Sequence, residues 1–449
     1  MTLSAEPLTP AAPAPVDAHH WPDVARTPHV PARAAVARRL LARIARRRGL
    51  RVELPGGRLL VPAPAAAPTL RLHRPDAFFH RIGKSGLIGF GESYQAGDWD
   101  SPDLVALLTE LATAPETLVP AGAQWLRRLY VSRRPAAELS TPDNARTNIH
   151  RHYDLSNDLF ALFLDPTLSY SSAVFPTAQD GTPLASWEGL AEAQHRKIDR
   201  LLDLARVRTG SRVLEIGTGW GELALRAAAR GATVVSLTLS EEQQDLARRR
   251  IAAAGLADRV EVRLCDYRAA EGEFDAVVSV EMIEAVGRPF WPAYFATIDR
   301  VLAPGGRAAL QAITMPHERM LASSGTHTWI LKYIFPGGQI PSLDAIRQST
   351  ARHTSLRVAA CDSFGPHYAQ TLRLWRERFT ARAGQVGALG FDPVFRRMWE
   401  LYLAYSEAGF AAGYLDVQQI LLTRPEPALT RPEPARTRPE PARGPGQPS

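Results

Sequence analysis

The stretch Val213-Leu-Glu-Ile-Gly-Thr-Gly-Trp-Gly221 carries a buried-strand pattern into a glycine turn, and Glu222-Leu-Ala-Leu-Arg-Ala-Ala-Ala-Arg230 follows with helical periodicity. It reads as the first β-turn-α unit of a nucleotide-type binding fold. Gly217, Gly219 and Gly221 allow backbone angles closed to other residues and let a ligand lie against the main chain. With Glu215 ahead of them the spacing is Glu-x-Gly-x-Gly-x-Gly. The dinucleotide form is Gly-x-Gly-x-x-Gly, in which a helix N-terminus receives a pyrophosphate. Taken alone, the glycines also suit an ordinary strand-to-helix loop, so the surrounding sequence decides.

Downstream, strand and helix patterns alternate. Strands are expected at 212–216, 233–238, 260–265, 274–280 and 307–313, with a later edge strand, and this predicts a Rossmann-like, doubly wound parallel α/β sheet. After Ser363 the chain reads as helical, at 370–381 and 394–410, with aromatic-rich apolar faces suited to packing as a lid.

At 449 residues the chain exceeds one ordinary core, which suggests two folded domains with disordered ends. Hydrophobic residues make up 45% and charged residues 22%, a globular composition, and no apolar run approaches the roughly 18 residues of a membrane span. The start, Met1-Thr-Leu-Ser-Ala-Glu-Pro, lacks the pattern of a signal peptide, which predicts a cytoplasmic protein. Cys265 and Cys361 are too few for a disulfide framework or a cysteine-rich metal site. A net charge of +7 suits an acidic partner, nucleic acid or anionic lipid, or merely an arginine-rich proteome, and charge alone does not choose.

Residues 1–32, rich in Pro and Ala, are expected to be a disordered leader, and 33–132 a smaller N-terminal α+β domain. Within that domain, 33–51 reads as a basic amphipathic helix with Val36, Leu40, Leu41 and Ile44 on one face. Such a helix suits the packing of one domain face beneath a solvated arginine surface or, given a lipid context, an anionic bilayer. The run 51–61 reads as a hairpin and 69–73 as a further strand. A Pro-bearing linker is expected at 133–144, a catalytic domain at 145–422, and an extended Pro-rich repeat tail at 423–449.

In a fold of this kind ligand contacts gather at the C-terminal strand ends. The second strand ends in Thr238-Leu-Ser-Glu-Glu-Gln-Gln244, leaving hydroxyls and an amide where a ribose-binding carboxylate is common. The third ends in Cys265-Asp-Tyr267, an acceptor and a ring suited to an adenine base, or to a helix cap beside a packed Tyr. The fourth ends in Ser279-Val-Glu-Met-Ile-Glu-Ala-Val-Gly287, with Glu281 and Glu284 at the pocket mouth.

These positions, with Gly91-Glu-Ser-Tyr-Gln-Ala-Gly-Asp-Trp99, His152-Tyr-Asp-Leu-Ser-Asn-Asp158, Leu164-Asp-Pro-Thr-Leu-Ser-Tyr-Ser171, Leu237-Thr-Leu-Ser240 and Tyr333-Ile-Phe-Pro-Gly-Gly338, resemble the cyclopropane fatty acid synthase family of S-adenosylmethionine (AdoMet)-dependent lipid methyltransferases. Through Gly89-Phe-Gly-Glu-Ser-Tyr94, Val280-Glu-Met-Ile-Glu-Ala-Val286 and Gln311-Ala-Ile-Thr-Met-Pro316 the chain is most similar to its tuberculostearic acid branch, which methylates an oleoyl chain to a 10-methylene product. The resemblance implies a class I AdoMet methyltransferase sheet, with cofactor contacts on Tyr170, Ser171, Glu215, Gly217, Gly219, Gly221, Thr238, Ser240, Gln243, Asp266 and Tyr267. It further implies a bicarbonate proton acceptor held by Ser172, Glu284, Gln311, Ile313 and Tyr368. Ser172 stands where cysteine is usual, and Gln311 where cyclopropane synthases have histidine, which puts that bicarbonate geometry in question.

An isolated alkene is a weak nucleophile, so the methyl donor must be held close and in line in a dry pocket. Methyl attack leaves a carbocation, for which Tyr153, Tyr170 and Tyr368 are candidate aromatic stabilisers, packing being the plainer role of each. Direct proton loss with ring closure gives a cyclopropane; a preceding hydride shift gives an exocyclic methylene. The hypothesis drawn is that Gln311 and Ser172 alter the acceptor's placement and favour the methylene. The implied partners are unsaturated phospholipid chains at an anionic membrane surface, met by peripheral association, and a separate reductase for the product. No nucleic-acid module accompanies the arginines. A homodimer is one option for an oligomeric state left open. The rival readings are a true cyclopropane synthase, a methyltransferase for a soluble small molecule, and a lipid-binding protein with a degenerate AdoMet site.

Overall fold

The computed structural model describes residues 16–113 and 156–425. The linker at 133–144, Tyr153, the start of the leader and nearly all of the repeat tail lie outside the described residues.

Strand β1 (Arg51–Glu53) pairs in parallel with β2 (Thr69–Leu72), and β2 pairs antiparallel with β3 (Trp99–Asp100). The reversal expected over 51–61 is present as a short hairpin: Glu53 bridges Leu59 antiparallel, the Leu54 N–H donates to the Arg58 carbonyl at 2.7 Å and the Leu60 N–H to the Val52 carbonyl at 2.9 Å. Pro55 lacks a ladder donor and opens the 3-10 turn between the arms, of which only β1 is a strand of the sheet.

The larger sheet has seven strands. In chain order they are β4 (Arg212–Ile216), β5 (Thr233–Thr238), β6 (Val260–Leu264), β7 (Phe274–Val280), β8 (Leu302–Thr314), β9 (Arg357–Ser363) and β10 (Asp416–Thr423). Their spatial order is β6-β5-β4-β7-β8-β10-β9, with β10 antiparallel to both neighbours and the remaining pairs parallel. Alternation along each strand feeds two cores: Leu214, Ile216 and Val277 pack on one face, Val213, Val234 and Val278 on the other. The order reverses between β4 and β7, and that switch point opens the crevice where such sheets bind ligands.

The arginine-rich helix spans Pro31–Arg48 and ends on Gly49, whose φ of 64° supplies a left-handed cap. The apolar face expected from the sequence is corrected in part. Ala34, Ala37 and Ala45 are buried, with Leu41 and Ile44 packed beside them, whereas Val36 is 53% exposed among the arginines. Small residues win the buried stripe because the helix lies close against Pro75–Ser85: a Cβ on Gly83 would sit 2.8 Å from the Ala34 backbone nitrogen. The aliphatic stripe is thus covered by protein, and Arg39, Arg43, Arg46 and Arg47 face outward.

The expectation of disorder through residue 32 is also corrected, because 16–32 includes a built anchor. Val24 is buried, the Trp21 indole donates to Asp392 at 2.7 Å, and Arg81 donates to the carbonyls of Asp23, Val24 and Arg26 while its Nε meets buried Asp98. At the other end Thr423 completes β10, and Arg424 reaches Asp299 and the carbonyl of Leu302.

The Gly91–Trp99 motif acts as a lock between elements. Glu92 Oε1 accepts from Lys332 Nζ at 2.6 Å and from the Tyr333 hydroxyl at 3.0 Å, and Gln95 accepts from the Trp329 indole at 2.8 Å. A Cβ on Gly91 would collide with the Trp329 ring. The segment so held, Trp329–Tyr333, leads directly to Gln339, whose N–H donates to the Glu284 carbonyl at 2.7 Å.

Candidate active site

At the switch point Gly217, Gly219 and Gly221 have φ of 99°, 51° and 90°, so the turn after β4 takes backbone angles that side chains resist. They serve different ends. A Cβ on Gly217 would sit 2.5 Å from Met282, and one on Gly221 would press on Ala247, whereas beside Gly219 there is open space. That space belongs to a cleft at the switch point. Tyr170, Ser171, Glu215, Gly217, Gly219, Thr238, Gln243 and Tyr267 all line it.

Three of the expected cofactor residues do not line the cleft. Gly221 closes the turn onto the helix Glu241–Ala253. Ser240 caps that helix, its hydroxyl accepting from the Gln243 N–H. Asp266 takes three donations from Arg268, from its backbone N–H, Nε and Nη2, because a cation two residues on reaches the same carboxylate. Arg268 holds the Asp266 carboxyl below the usual carboxylate range against the opposing effect of burial.

The cleft floor carries two deep ionisable groups. Glu215 accepts from Ser236 Oγ at 2.5 Å, and burial pushes its carboxyl up to about 8. Lys197 is 1% exposed, donates to Ser171 Oγ at 2.5 Å, and is brought down to about 8 by burial. Gln194, one turn earlier, donates to the carbonyls of Ser169 and Ser171 and so fixes the same segment.

A second constellation adjoins the first. Glu281 follows β7 and lines the cleft. Its Oε1 accepts from the Ser172 N–H at 3.0 Å and from Gln311 Nε2 at 2.9 Å; its Oε2 accepts from the Tyr368 hydroxyl at 2.6 Å. The Glu284 Oε1 accepts from the Ile313 N–H, and its Oε2 is buried with no hydrogen-bond partner among the described residues. Burial, then the neighbouring Glu281 charge, pushes Glu284 up to about 8; burial also raises Glu281, opposed by its donors and by Lys197. Ser172, Glu284, Gln311, Ile313 and Tyr368 are therefore brought together as expected. A bicarbonate ion does not fit their present arrangement, because three of the donors that would hold it already serve Glu281.

Aromatic rings wall this region. Tyr170 packs 5.3 Å from Trp375 and 5.2 Å from Phe160, and its hydroxyl meets that of Tyr402 at 2.7 Å. Tyr368 packs at a tilt on Phe410, with ring centroids 4.5 Å apart. The lid helices Gly365–Ala381 and Pro393–Ala411 carry Tyr368, Trp375, Tyr402 and Phe410, and the first also pins 172–175: Thr371 accepts from the Ala173 N–H and His367 Nδ1 from the Phe175 N–H.

Sequence reasoning noted Glu281 but left it without a role, and missed Lys197, Gln194 and Gln419. Lys197 and Gln194 had a readable signal, since they occupy the same helical stripe as Leu190, Ala193, Ile198 and Leu201, where polar groups need a reason. Gln419 had none. It lies on β10, and its Nε2 donates to Gln311 Oε1 at 3.2 Å and to the Lys197 carbonyl at 2.9 Å.

Residues 140–420 match the family model described as mycolic acid cyclopropane synthetase. The chain is 57% identical to the tuberculostearic acid methyltransferase UfaA1 of Mycobacterium tuberculosis, over 92% of this chain and 97% of that one. It is 34% identical to the cyclopropane-fatty-acyl-phospholipid synthase of Escherichia coli K12, over 80% of this chain and 89% of that one. Among solved structures, the mycolic acid cyclopropane synthase CmaA1 complexed with SAH and CTAB shares 31% identity at a TM-score of 0.55, covering 64% of this chain and 98% of that one.

Proposed function

This chain belongs to the mycolic acid cyclopropane synthetase family, and from that membership we propose an AdoMet-dependent C-methyltransferase acting on the double bond of an oleoyl phospholipid chain to give a 10-methylene branch. The observation that carries the reading is the continuity of two sites: a glycine-cradled cleft meets, at Glu281, a deep carboxylate pair walled by aromatic rings.

The open side of Gly219 and the strand-end residues Thr238, Gln243 and Tyr267 fit a nucleoside lying against the main chain. AdoMet, when bound there, supplies an electrophilic sulfonium methyl. The chain's part is to place the alkene, keep water out and remove a proton. In this reading Tyr170 and Tyr368, which also pack on Trp375 and Phe410, are the rings that stabilise positive charge at the attacked alkene, and the lid helices exclude water that would otherwise trap the cation. Cation formation at one alkene carbon is followed by a hydride shift from the newly methylated carbon. Loss of a proton from the added methyl then leaves the exocyclic methylene.

Peripheral association with an anionic lipid surface is part of this reading. Among the described residues no helix is long and apolar enough to cross a membrane. The outward arginines supply attraction of about 1 kcal/mol each near an anionic surface. A saturated methyl branch requires a later hydride-donating reduction of the methylene, which belongs to a separate reductase.

The testing experiment is incubation with oleoyl phospholipid vesicles and methyl-labelled AdoMet. Label must enter the acyl chain as one added carbon; an unlabelled lipid, with AdoMet binding intact, contradicts the reading. The Escherichia coli relative favours one second outcome, a cyclopropane, which the same lipid extract distinguishes.

A further inference from the structure

We infer that Glu281 is the proton acceptor of the reaction, a carboxylate supplied by the chain itself in the position where the sequence resemblance called for bicarbonate. The inference rests on the methyltransferase reading above and deepens it.

Two independent observations carry the assignment. The first is the donor set. A proton acceptor at this point needs an anionic oxygen pair held by fixed donors and open to the substrate. The Ser172 N–H, Gln311 Nε2 and Tyr368 hydroxyl supply such donors, and all three are spent on the Glu281 carboxylate at 2.6–3.0 Å. The same carboxylate lines the methyl-donor cleft, so it is not sealed inside a structural network.

The second is the backbone. Glu281 has φ of 52°, one of four described non-glycine residues with positive φ. A β-turn or strand end in this conformation favours glycine, and a long side chain there is strained. The strain is held by its surroundings: the Glu281 N–H donates to the Gln311 carbonyl at 2.7 Å, continuing the β7–β8 ladder past Val280. A glutamate kept where glycine is easier is a side chain kept for its carboxylate.

The supporting groups orient this acceptor. Gln419 donates to Gln311 Oε1 and so turns the amide to present Nε2 to Glu281 and to the Ser172 carbonyl. A histidine at 311 would present a titrating ring nitrogen in its place. The glutamine presents its amide NH₂ without titrating. In the step itself, a C–H bond of the added methyl breaks, its electron pair forms the methylene double bond, and its proton passes to a Glu281 oxygen. Deprotonation to solvent after product release restores the carboxylate.

The test compares the wild type, E281Q and E281G on oleoyl phospholipid with labelled AdoMet, in buffer stripped of carbon dioxide and in buffer with added bicarbonate. Wild-type turnover is expected to be the same in both. E281Q is expected to bind AdoMet within about threefold of wild type and to lose on the order of 10²-fold in turnover. E281G, relieved of its strained φ, is expected to melt no lower than wild type, to be inactive without bicarbonate, and to regain turnover when the ion is added. A wild-type rate that requires bicarbonate, an E281Q rate within threefold of wild type, or an E281G enzyme active in stripped buffer overturns the assignment while leaving the methyltransferase reading standing. A wild type that methylates no unsaturated lipid in either buffer removes both.

Discussion

The Tyr368 hydroxyl donates to Glu281 Oε2 at 2.6 Å, tying the first turn of the lid helix to the loop that follows β7. In the proposed reaction, the helix that covers the site is thereby also a support of the proposed acceptor.

Tyr368→Phe keeps the ring on Phe410 and removes that donor. Turnover should fall on the order of 10²-fold, as when one fixed hydrogen-bond donor to a reacting centre is lost, with AdoMet affinity within about twofold of wild type. Steady-state kinetics and calorimetry measure both. Unchanged turnover would separate Tyr368 from the acceptor.

Glu284→Gln should bind AdoMet and lose most turnover, because Glu284 takes the Ile313 N–H and borders Glu281 electrostatically. A near-normal rate would remove Glu284 from the chemistry and leave it a packing group.

The same residue shapes stability against pH. Glu215 and Glu284 both titrate near 8 in the folded chain, above their ordinary value of 4.5, so the folded form retains protons that the unfolded chain has released. Their contribution is full below about 4.5 and is lost as pH rises to about 8. Lys197, lowered from 10.5 to about 8, acts in a different window: its contribution is present above 10.5 and lost as pH falls through 8. Melting temperatures of the ligand-free protein should decline between pH 5 and 8, and Glu284→Gln should flatten that decline. A variant as steep as wild type would contradict the assignment.

Gly219→Val places a branched side chain at φ 51° on the open side of the cleft. AdoMet binding should weaken at least tenfold, about 1.4 kcal/mol or more. An isothermal titration matching wild type would mean that the ligand does not lie against this turn.

Reversing Arg39, Arg43 and Arg46 to Glu alters one outward stripe of the arginine helix without touching Ala34, Ala37 or Ala45. Co-sedimentation with anionic vesicles should drop by roughly 100-fold in partition, given about 1 kcal/mol per basic residue, and the wild-type affinity should fall with salt. AdoMet affinity should not move. Equal sedimentation of variant and wild type would place lipid contact elsewhere.

Much of this architecture was legible in the sequence because it depends on local patterns. The strands 212–216, 233–238 and 274–280 are bounded by turn chemistry and filled with β-branched residues, and they appear as read. Glu284, Gln311 and Tyr368 were legible through the resemblance, and they do converge. The role of Glu281 was not, because it depends on a positive φ and on donors 109, 30 and 87 residues away in sequence. The arginine helix misled for a related reason. Periodicity marked Val36 and Leu40, but which stripe is buried was decided by how closely alanines allow Gly83 to approach.

The proposed product of this chain is an exocyclic methylene on an oleoyl chain. Methylene and cyclopropane products are isomers, so mass alone does not separate them. The decisive measurement is the carbon NMR spectrum of lipid methylated from ¹³C-methyl AdoMet. The label is expected in an sp² =CH₂ carbon; label confined to a cyclopropane ring carbon would rule out the methylene product.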